Sequence, residues 1–265
     1  MTGAAALAGG YIIMCLYWLF TGCKYGAPIC LDFFLKASCL LFLVGGAANI
    51  ISASLSIAKI RRLDRLYEKL GTSDSYYEQL TKTLSGRKGI SDEGLLSLAS
   101  AYLSGERYDE CYGTLEKISF DKLSAAGQSN YFNILLYGKL MEGDVKVANE
   151  IYRSSRHYFD RSLTMRRHGH ILHTLGVLEY ANGRYAKAEG YFNTAKGESG
   201  RDVSLLCDCD LYLGLCYLKT GRTEYARQAV IRAAGETDDC RQEENLKKLM
   251  KLVVNAYKEK EGEMT

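Results

Sequence analysis

With 265 residues, 47% of them apolar, the chain can build a continuous core, which excludes a disordered protein. Its 34 basic and 31 acidic residues leave a net charge of +3, too small an excess for a dedicated nucleic-acid-binding protein. Nine cysteines at scattered apolar positions favour buried free thiols over a disulfide framework. A single proline and 26 glycines fit an all-α chain whose helices are separated by glycine.

The first 58 residues predict a transmembrane hairpin. Two uncharged apolar stretches, about 4–20 and 37–58, each have the length of roughly 20 residues that a bilayer requires, and the turn between them contains Pro28. A cleaved signal peptide is the alternative for the first stretch, although residues 1–10 contain no Lys or Arg.

The second stretch carries small and polar residues at intervals of three or four, which predict one packing stripe: Gly45, Asn49, Ser52 and Ser56. The partner of this stripe is the first span, another membrane protein, or a second copy that would make a homo-oligomer. A functional role for Asn49 is the alternative to packing.

Basic residues follow the second stretch directly and predict its orientation: Lys59, Arg61, Arg62 and Arg65. Because positive charge stays on the cytoplasmic side, we expect a double-pass protein with both the amino terminus and the C-terminal part in the cytoplasm. The same cluster could also attract anionic lipid. Residues 59–93 then predict a helical neck.

Four helix-turn-helix units are predicted over about 94–119, 130–155, 170–200 and 208–234, within a region that extends to 237. Their turn glycines, at 105, 143, 183 and 221, recur every 38 to 40 residues. Two helices per unit at such a period indicate an α-solenoid. The third unit is the best formed, and it carries small and large residues at regular offsets: Leu175, Gly176, Gly183, Tyr185, Ala188, Phe192 and Ala195.

This pattern resembles the tetratricopeptide repeat over about 94–235. The fourth unit matches nearly as well as the third, whereas the first two are degenerate. The chain departs from the family in its longer period, in the missing proline at the end of each unit, and in a first turn that is one residue short. The resemblance implies a superhelix whose first helices line a concave groove.

The resemblance also implies which side chains face that groove: Asn130, Asn133, Tyr137, His170, His173, Thr174, Tyr180, Asp208, Tyr212 and Lys219. Tyrosines and amides suit an extended peptide, because they offer ring area together with donors and acceptors for its backbone. Chaperone-binding members of the family hold a C-terminal carboxylate with a Lys/Asn/Arg clamp. That ligand is not expected here, since the clamp positions carry Leu96, Ser100, Ile134, His170 and Thr174.

Residues 238–265 predict a helix with an apolar stripe and a charged remainder, as a capping helix at the end of a solenoid requires. Docking of a partner helix on the stripe is the alternative.

Catalytic and metal-binding patterns are weak in this sequence. All four histidines lie within 157–173 among arginines, and His170 and His173 could share a metal ion or an anion, but no carboxylate or cysteine at matching helical spacing completes a site. Cys207, Cys209 and Cys216 lack the paired spacing that zinc usually takes. Phosphate-binding, esterase and metalloprotease motifs are missing. We therefore predict no enzyme, no cofactor and no metal.

These features together predict a membrane-anchored adaptor or scaffold that presents a cytoplasmic groove to a peptide or protein. The alternative is a subunit of a membrane transport, secretion or envelope-assembly complex, in which the transmembrane hairpin makes the specific contacts. Nothing in the sequence identifies the partner.

Overall fold

The computed structural model describes residues 62–263, with gaps at 64, 68, 87–88, 165–167, 201 and 237–239. The chain divides into two compact units, Met1–Tyr76 and Tyr77–Thr265. The helical pairs, the core and the cavity described below all belong to the second unit. The domain boundaries given above stay a prediction.

The described part of the chain is almost entirely helical. In chain order the α-helices are α1 Asp74–Leu84, α2 Asp92–Ser104, α3 Tyr108–Leu115, α4 Ala125–Met141, α5 Val145–Leu163, α6 Gly169–Ala181, α7 Tyr185–Glu198, α8 Val203–Lys219, α9 Thr223–Glu236 and α10 Cys240–Glu263. A 3-10 turn covers Phe120–Lys122. Two short strands, β1 Ser85–Gly86 and β2 Gly89–Ile90, pair antiparallel.

The helices pack as successive antiparallel pairs, α2 with α3, α4 with α5, α6 with α7 and α8 with α9. The first helices of neighbouring pairs also contact each other, so α2, α4, α6 and α8 form one continuous inner layer. The main core runs from Leu136 to Val253, and a second cluster lies between Leu96 and Ile134. Each pair therefore buries its apolar face against the next, as expected for a solenoid.

The turns inside three of these pairs depend on a glycine in the left-handed region: Gly143 has φ +79°, Gly183 +74° and Gly221 +72°. In the first pair, however, Glu106 takes this conformation with φ 59°, whereas Gly105 has φ −92°. Gly105 therefore corresponds to Asn182, one residue before the left-handed position. The expectation of a shortened first turn was wrong, because it aligned Gly105 with the wrong residue of the other turns.

A different glycine permits the helices of a pair to approach closely. A Cβ added to Gly176 on α6 would lie 2.6 Å from a ring carbon of Phe192 on α7. Phe192 is fully buried, and its ring stacks on Tyr212 of α8 at a centroid distance of 5.3 Å. The small residue at 176 thus makes room for the ring that joins three helices.

The first helices begin earlier than the predicted units. Helix α4 begins at Ala125 and α8 at Val203, each five residues before the expected start. Capping explains both beginnings, since the side chain of Ser124 accepts a hydrogen bond from the Gly127 amide and that of Asp202 from the Leu205 amide.

A buried ion cluster connects α7, α8 and α9. Asp210 of α8 has no exposed surface, and its carboxylate accepts hydrogen bonds from Lys196 of α7 and Arg232 of α9, the latter at 2.9 Å. A buried charge is tolerated only when it is paired in this way. The cluster therefore ties the third helical pair to the fourth.

The last helix, α10, packs on α8 and α9. Its Leu246, Leu249 and Val253 are buried, and Leu249 covers Gly214, where an added Cβ would lie 2.6 Å from Leu249 Cδ2. Met250 and Val254, which are apolar and stand at helical spacing beside these residues, were expected in the predicted stripe but are 47% and 50% exposed. The buried stripe is therefore narrower than predicted.

The transmembrane part of the predicted fold class is corrected here. Within the described ranges, no helix combines the length and the apolar character that crossing a bilayer requires. The longest helices, α5 and α10, carry charged residues along their length, among them Lys146, Glu150, Arg153, Glu244 and Lys247. We retain an all-α repeat fold and withdraw the membrane-anchored function, the double-pass localisation and the membrane-complex alternative.

Several predicted membrane features lie outside the described residues: the spans 4–20 and 37–58, the stripe of Gly45, Asn49, Ser52 and Ser56, and Lys59 and Arg61. Arg62 and Arg65 are exposed on a helical segment. The topological role of these basic residues depended on the two spans.

Candidate functional site

The candidate site is a cavity of about 330 Å³ on the layer formed by the first helices. All four of them contribute to its lining, which consists of Ser100, Leu103, Ser104, Asn130, Asn133, Ile134, Tyr137, His170, His173, Thr174, Ser204, Leu205 and Asp208. The cavity therefore exists only because consecutive repeats place equivalent faces side by side.

Seven of the ten predicted groove residues line this cavity: Asn130, Asn133, Tyr137, His170, His173, Thr174 and Asp208. Of the other three, Tyr180 and Tyr212 belong to the aromatic cluster described below, and Lys219 is exposed at the C-terminal end of α8. The structure thus brings together the predicted residues on the N-terminal and central parts of the helices.

Aromatic rings form one side of the cavity and the layer beneath it. The imidazole of His173 is only 5% exposed, and its centroid lies 5.8 Å from the Tyr137 ring and 5.6 Å from both Phe192 and Tyr212. Tyr180 contacts Tyr212 at 5.7 Å. His173 and Tyr212 are therefore packed into the wall of the groove, and only part of the predicted aromatic surface is open to a ligand.

A hydrogen-bonded pair of side chains lies at the α6/α8 side of the cavity. His170 Nε2 lies 3.0 Å from Asp202 Oδ2, and this histidine side chain is 69% exposed. The hydrogen bond from His170 lowers the pKa of Asp202, with a smaller contribution from the Leu205 amide, although burial opposes both. Asp202 is therefore a stable anion that caps α8 and holds His170 at the rim.

Hydrogen bonds within the helices determine what the cavity offers to a ligand. Thr174 donates its hydroxyl to the His170 carbonyl at 3.0 Å, and Ser104 donates to the Ser100 carbonyl at 3.1 Å. Each hydroxyl therefore uses its only proton within the helix, and its oxygen can still accept a hydrogen bond from a ligand. Asn133 is 8% exposed, and its Oδ1 is buried without a hydrogen bond from any residue that the structure describes.

Outside the cavity, the carboxylate of Glu179 is paired with two basic side chains. This carboxylate is buried at the end of α6 and accepts hydrogen bonds from Arg184 and from Lys187 at 2.7 Å. Burial acts to raise the pKa of Glu179, but the two basic partners outweigh it and hold the pKa below its ordinary value of 4.5. The ion pair thus fastens the turn between α6 and α7.

Four cysteines of the described region are packing residues. Cys111, Cys207, Cys209 and Cys216 are buried and form no disulfide. Burial raises the pKa of Cys111 and of Cys216 to about 12, which keeps both thiols protonated and unreactive. No group of three or more His, Cys, Asp or Glu side chains in the described ranges is arranged to hold a metal ion.

Sequence reasoning missed the contribution of the first pair. Leu103 and Ser104 of α2 line the cavity, although neither was predicted to face the groove, and Ser100, which was considered only as a clamp position, lines it as well. Ser204 of α8 was missed as well, because it precedes the expected start of its unit. The capping residues Ser91 and Asp202 would have placed both helix starts correctly.

Comparison with known families supports the repeat. Residues 140–202 match a family model described as Tetratricopeptide repeat. This range contains the whole of α5, α6 and α7, including the hairpin from Ile171 to Gly200 that was predicted to be the best-formed unit. Curated proteins and solved structures gave no match to this chain.

The match confirms that the chain contains tetratricopeptide-like repeats. Repeats of this kind bind protein partners and are typically non-catalytic interaction modules, so the general role is protein–protein interaction. Of the four helices that line the cavity, the matched range contains α6 entirely but only the last two residues of α4, Leu140 and Met141.

Proposed function

We propose that the cavity on α2, α4, α6 and α8 is the docking site for an extended peptide segment of a protein partner, and that the chain acts as an adaptor or scaffold. The observation that carries this proposal is the convergence of Asn130, Asn133 and Tyr137 with His170 and Asp208 at one concave surface. These side chains come from three successive repeats.

The dimensions of the cavity support a peptide rather than a folded domain. Its volume of about 330 Å³ lies at the lower end of the range of roughly 300–1,000 Å³ typical of ligand pockets. A groove of this size accepts one or two side chains of an extended segment. The mixture of amide, hydroxyl and aromatic groups offers partners for the backbone of such a segment as well as for its side chains.

The test uses rim residues, because His173 and Thr174 are buried and their replacement would disturb the fold. Peptides are selected on the full-length protein from a random phage-displayed library, and their dissociation constants are measured by fluorescence polarisation. Asn130→Arg and Ser104→Arg place a long charged side chain at the rim from two exposed positions. Asn193→Arg on α7 is the matched control, since Asn193 is exposed outside the cavity.

We expect each rim variant to weaken peptide binding at least about tenfold, a loss of about 1.4 kcal/mol, while the control binds like the wild type. Circular dichroism should show the same unfolding temperature for all three variants. Selected peptides that bind the rim variants and the control equally would place the docking site elsewhere on the molecule. A library that yields no binding peptide would count against peptide docking itself.

A further inference from the structure

The chemistry of the cavity specifies the kind of side chain that fits it. Ser104 and Thr174 have given their hydroxyl protons to helix carbonyls, so they face a ligand as acceptors. Asp208 adds a carboxylate to the lining. No Lys or Arg occurs among the described residues that line the cavity. His170, which also lines the cavity, is hydrogen-bonded to Asp202. The described lining therefore offers several acceptors, one of them a carboxylate.

Asn133 provides the independent sign that a ligand belongs here. More than nine-tenths of its surface is buried, and it lines the cavity, yet its Oδ1 receives no hydrogen bond from the residues described. Buried polar atoms in folded proteins almost always have a partner, and an exception calls for an explanation. A donor supplied by a bound peptide would satisfy this oxygen.

Donor groups differ in how well they match such a surface. A primary amide or a backbone amide brings its own carbonyl, which needs a donor in return. An ammonium or guanidinium group offers three to five N–H donors and no acceptor. The ring of Tyr137 in the cavity wall adds an attraction for a cation.

We propose that the cavity binds the side chain of a lysine or arginine in the partner peptide, with Asn133, Thr174 and Asp208 accepting its hydrogen bonds. This inference rests on the proposed docking of a peptide in the same groove. It assigns the partner segment a basic residue at the position whose side chain enters the cavity.

The inference is tested with five synthetic nonapeptide pools, acetylated and amidated so that no terminal charge remains. The central residue is Lys, Arg, Gln, Met or Glu, and the flanks are mixtures of uncharged residues. Binding of each pool to the full-length protein is measured by fluorescence polarisation. Gln is the informative comparison, because it is long and donates hydrogen bonds but carries no charge.

We expect the Lys or Arg pool to bind at least about tenfold more tightly than the Gln, Met and Glu pools, since hydrogen bonds to charged groups are the stronger ones. Asp208→Asn should remove most of this preference, and Asn133→Ala should weaken the preferred pool about tenfold. The matched controls Asp109→Asn and Asn193→Ala change exposed residues outside the cavity and should bind like the wild type.

The thermal stability of Asn133→Leu separates a ligand-binding residue from a structural one. Leucine has nearly the shape of asparagine, and Oδ1 lacks a hydrogen bond in the described structure, so this replacement should leave the unfolding temperature unchanged or slightly raised. A clear loss of stability in this variant would overturn the assignment of Asn133 to the ligand.

The remaining outcomes distinguish this inference from the proposed function. If the Gln or Glu pool binds as tightly as the basic pools and Asn130→Arg still blocks binding, the groove docks peptides but the basic side chain is wrong. A preference for Lys that survives in Asp208→Asn would likewise overturn it. If no pool binds and the phage selection also yields no peptide, both the proposed peptide docking and the proposed binding of a basic side chain are wrong.

Discussion

Replacing Gly176 with alanine tests the packing on which the groove is built. The added methyl group would lie 2.6, 2.8 and 2.9 Å from three carbons of the Phe192 ring. This ring has no exposed surface, and it is held by stacking on Tyr212 and by contact with His173. Phe192 can therefore make room only by displacing two residues of the groove wall.

The magnitude follows from two opposing effects. Overpacking in a filled core costs about 1–3 kcal/mol, and the contact of 2.6 Å argues for the upper end. Alanine in a helix interior regains about 1 kcal/mol relative to glycine. We therefore expect Gly176→Ala to lower the free energy of unfolding by about 2 kcal/mol. Peptide binding should weaken as well, because Tyr212 and His173 support the cavity.

Gly190 of α7 offers the matched control. It also lies inside a helix, but a Cβ added there meets no described atom within 4 Å. Gly190→Ala should therefore be more stable than the wild type by about 1 kcal/mol, so the two variants should differ by about 3 kcal/mol in urea unfolding. If both variants are equally stabilised, the Phe192 ring accommodates the methyl group and the close helix crossing does not restrict residue 176.

Three further predictions concern the turn and the two buried carboxylates. Glu106→Gly should stabilise the chain by about 1 kcal/mol because φ is 59° there, and Gly183→Ala should destabilise it by a similar amount; equal urea midpoints for both would contradict the turn assignment. Asp210→Asn should cost about 3 kcal/mol, since its two basic partners lose a fully buried counter-ion; a thermal shift near zero would refute the ion cluster. The lowered pKa of Glu179 contributes stability that is present above pH 4.5 and is lost as the pH falls through the folded-state pKa. Glu179→Gln should therefore be less stable than the wild type at neutral pH, and it should lose less stability than the wild type as the pH falls below 4.5. Unfolding temperatures of the two proteins that fall in parallel on acidification would argue against this role.

The sequence predicted the α6/α7 hairpin well because its information is local. Asn182 and Gly183 mark the turn, and the helices end at Ala181 and begin again at Tyr185. Leu175, Gly176 and Phe192 alternate small and large residues on the contact face, and this alternation depends only on helical spacing. Local turn chemistry and period were sufficient to place both helices.

The first pair shows where the same reasoning fails. A glycine at a turn is a signal for a left-handed residue, and Gly105 supplied that signal, but Glu106 has the left-handed conformation. The packing of the two helices determines which residue of the turn takes the left-handed conformation, and this residue need not be the nearest glycine. The expected first turn was therefore wrong by one residue. No groove residue of α2 was predicted either.

The ligand-binding character of the cavity was least accessible from sequence. Asn133 was assigned to the groove because of its position in the repeat, but its unsatisfied oxygen depends on what surrounds it from α2, α6 and α8. Likewise, the hydroxyls of Ser104 and Thr174 can only accept a hydrogen bond from a ligand, because each already donates its proton to a carbonyl one turn earlier. The residues that form the repeat are specified by spacing along one helix. The residues that we propose to select the ligand are specified by hydrogen bonds made or left unmade across four helices, so the proposed chemistry of the partner depends on the structure.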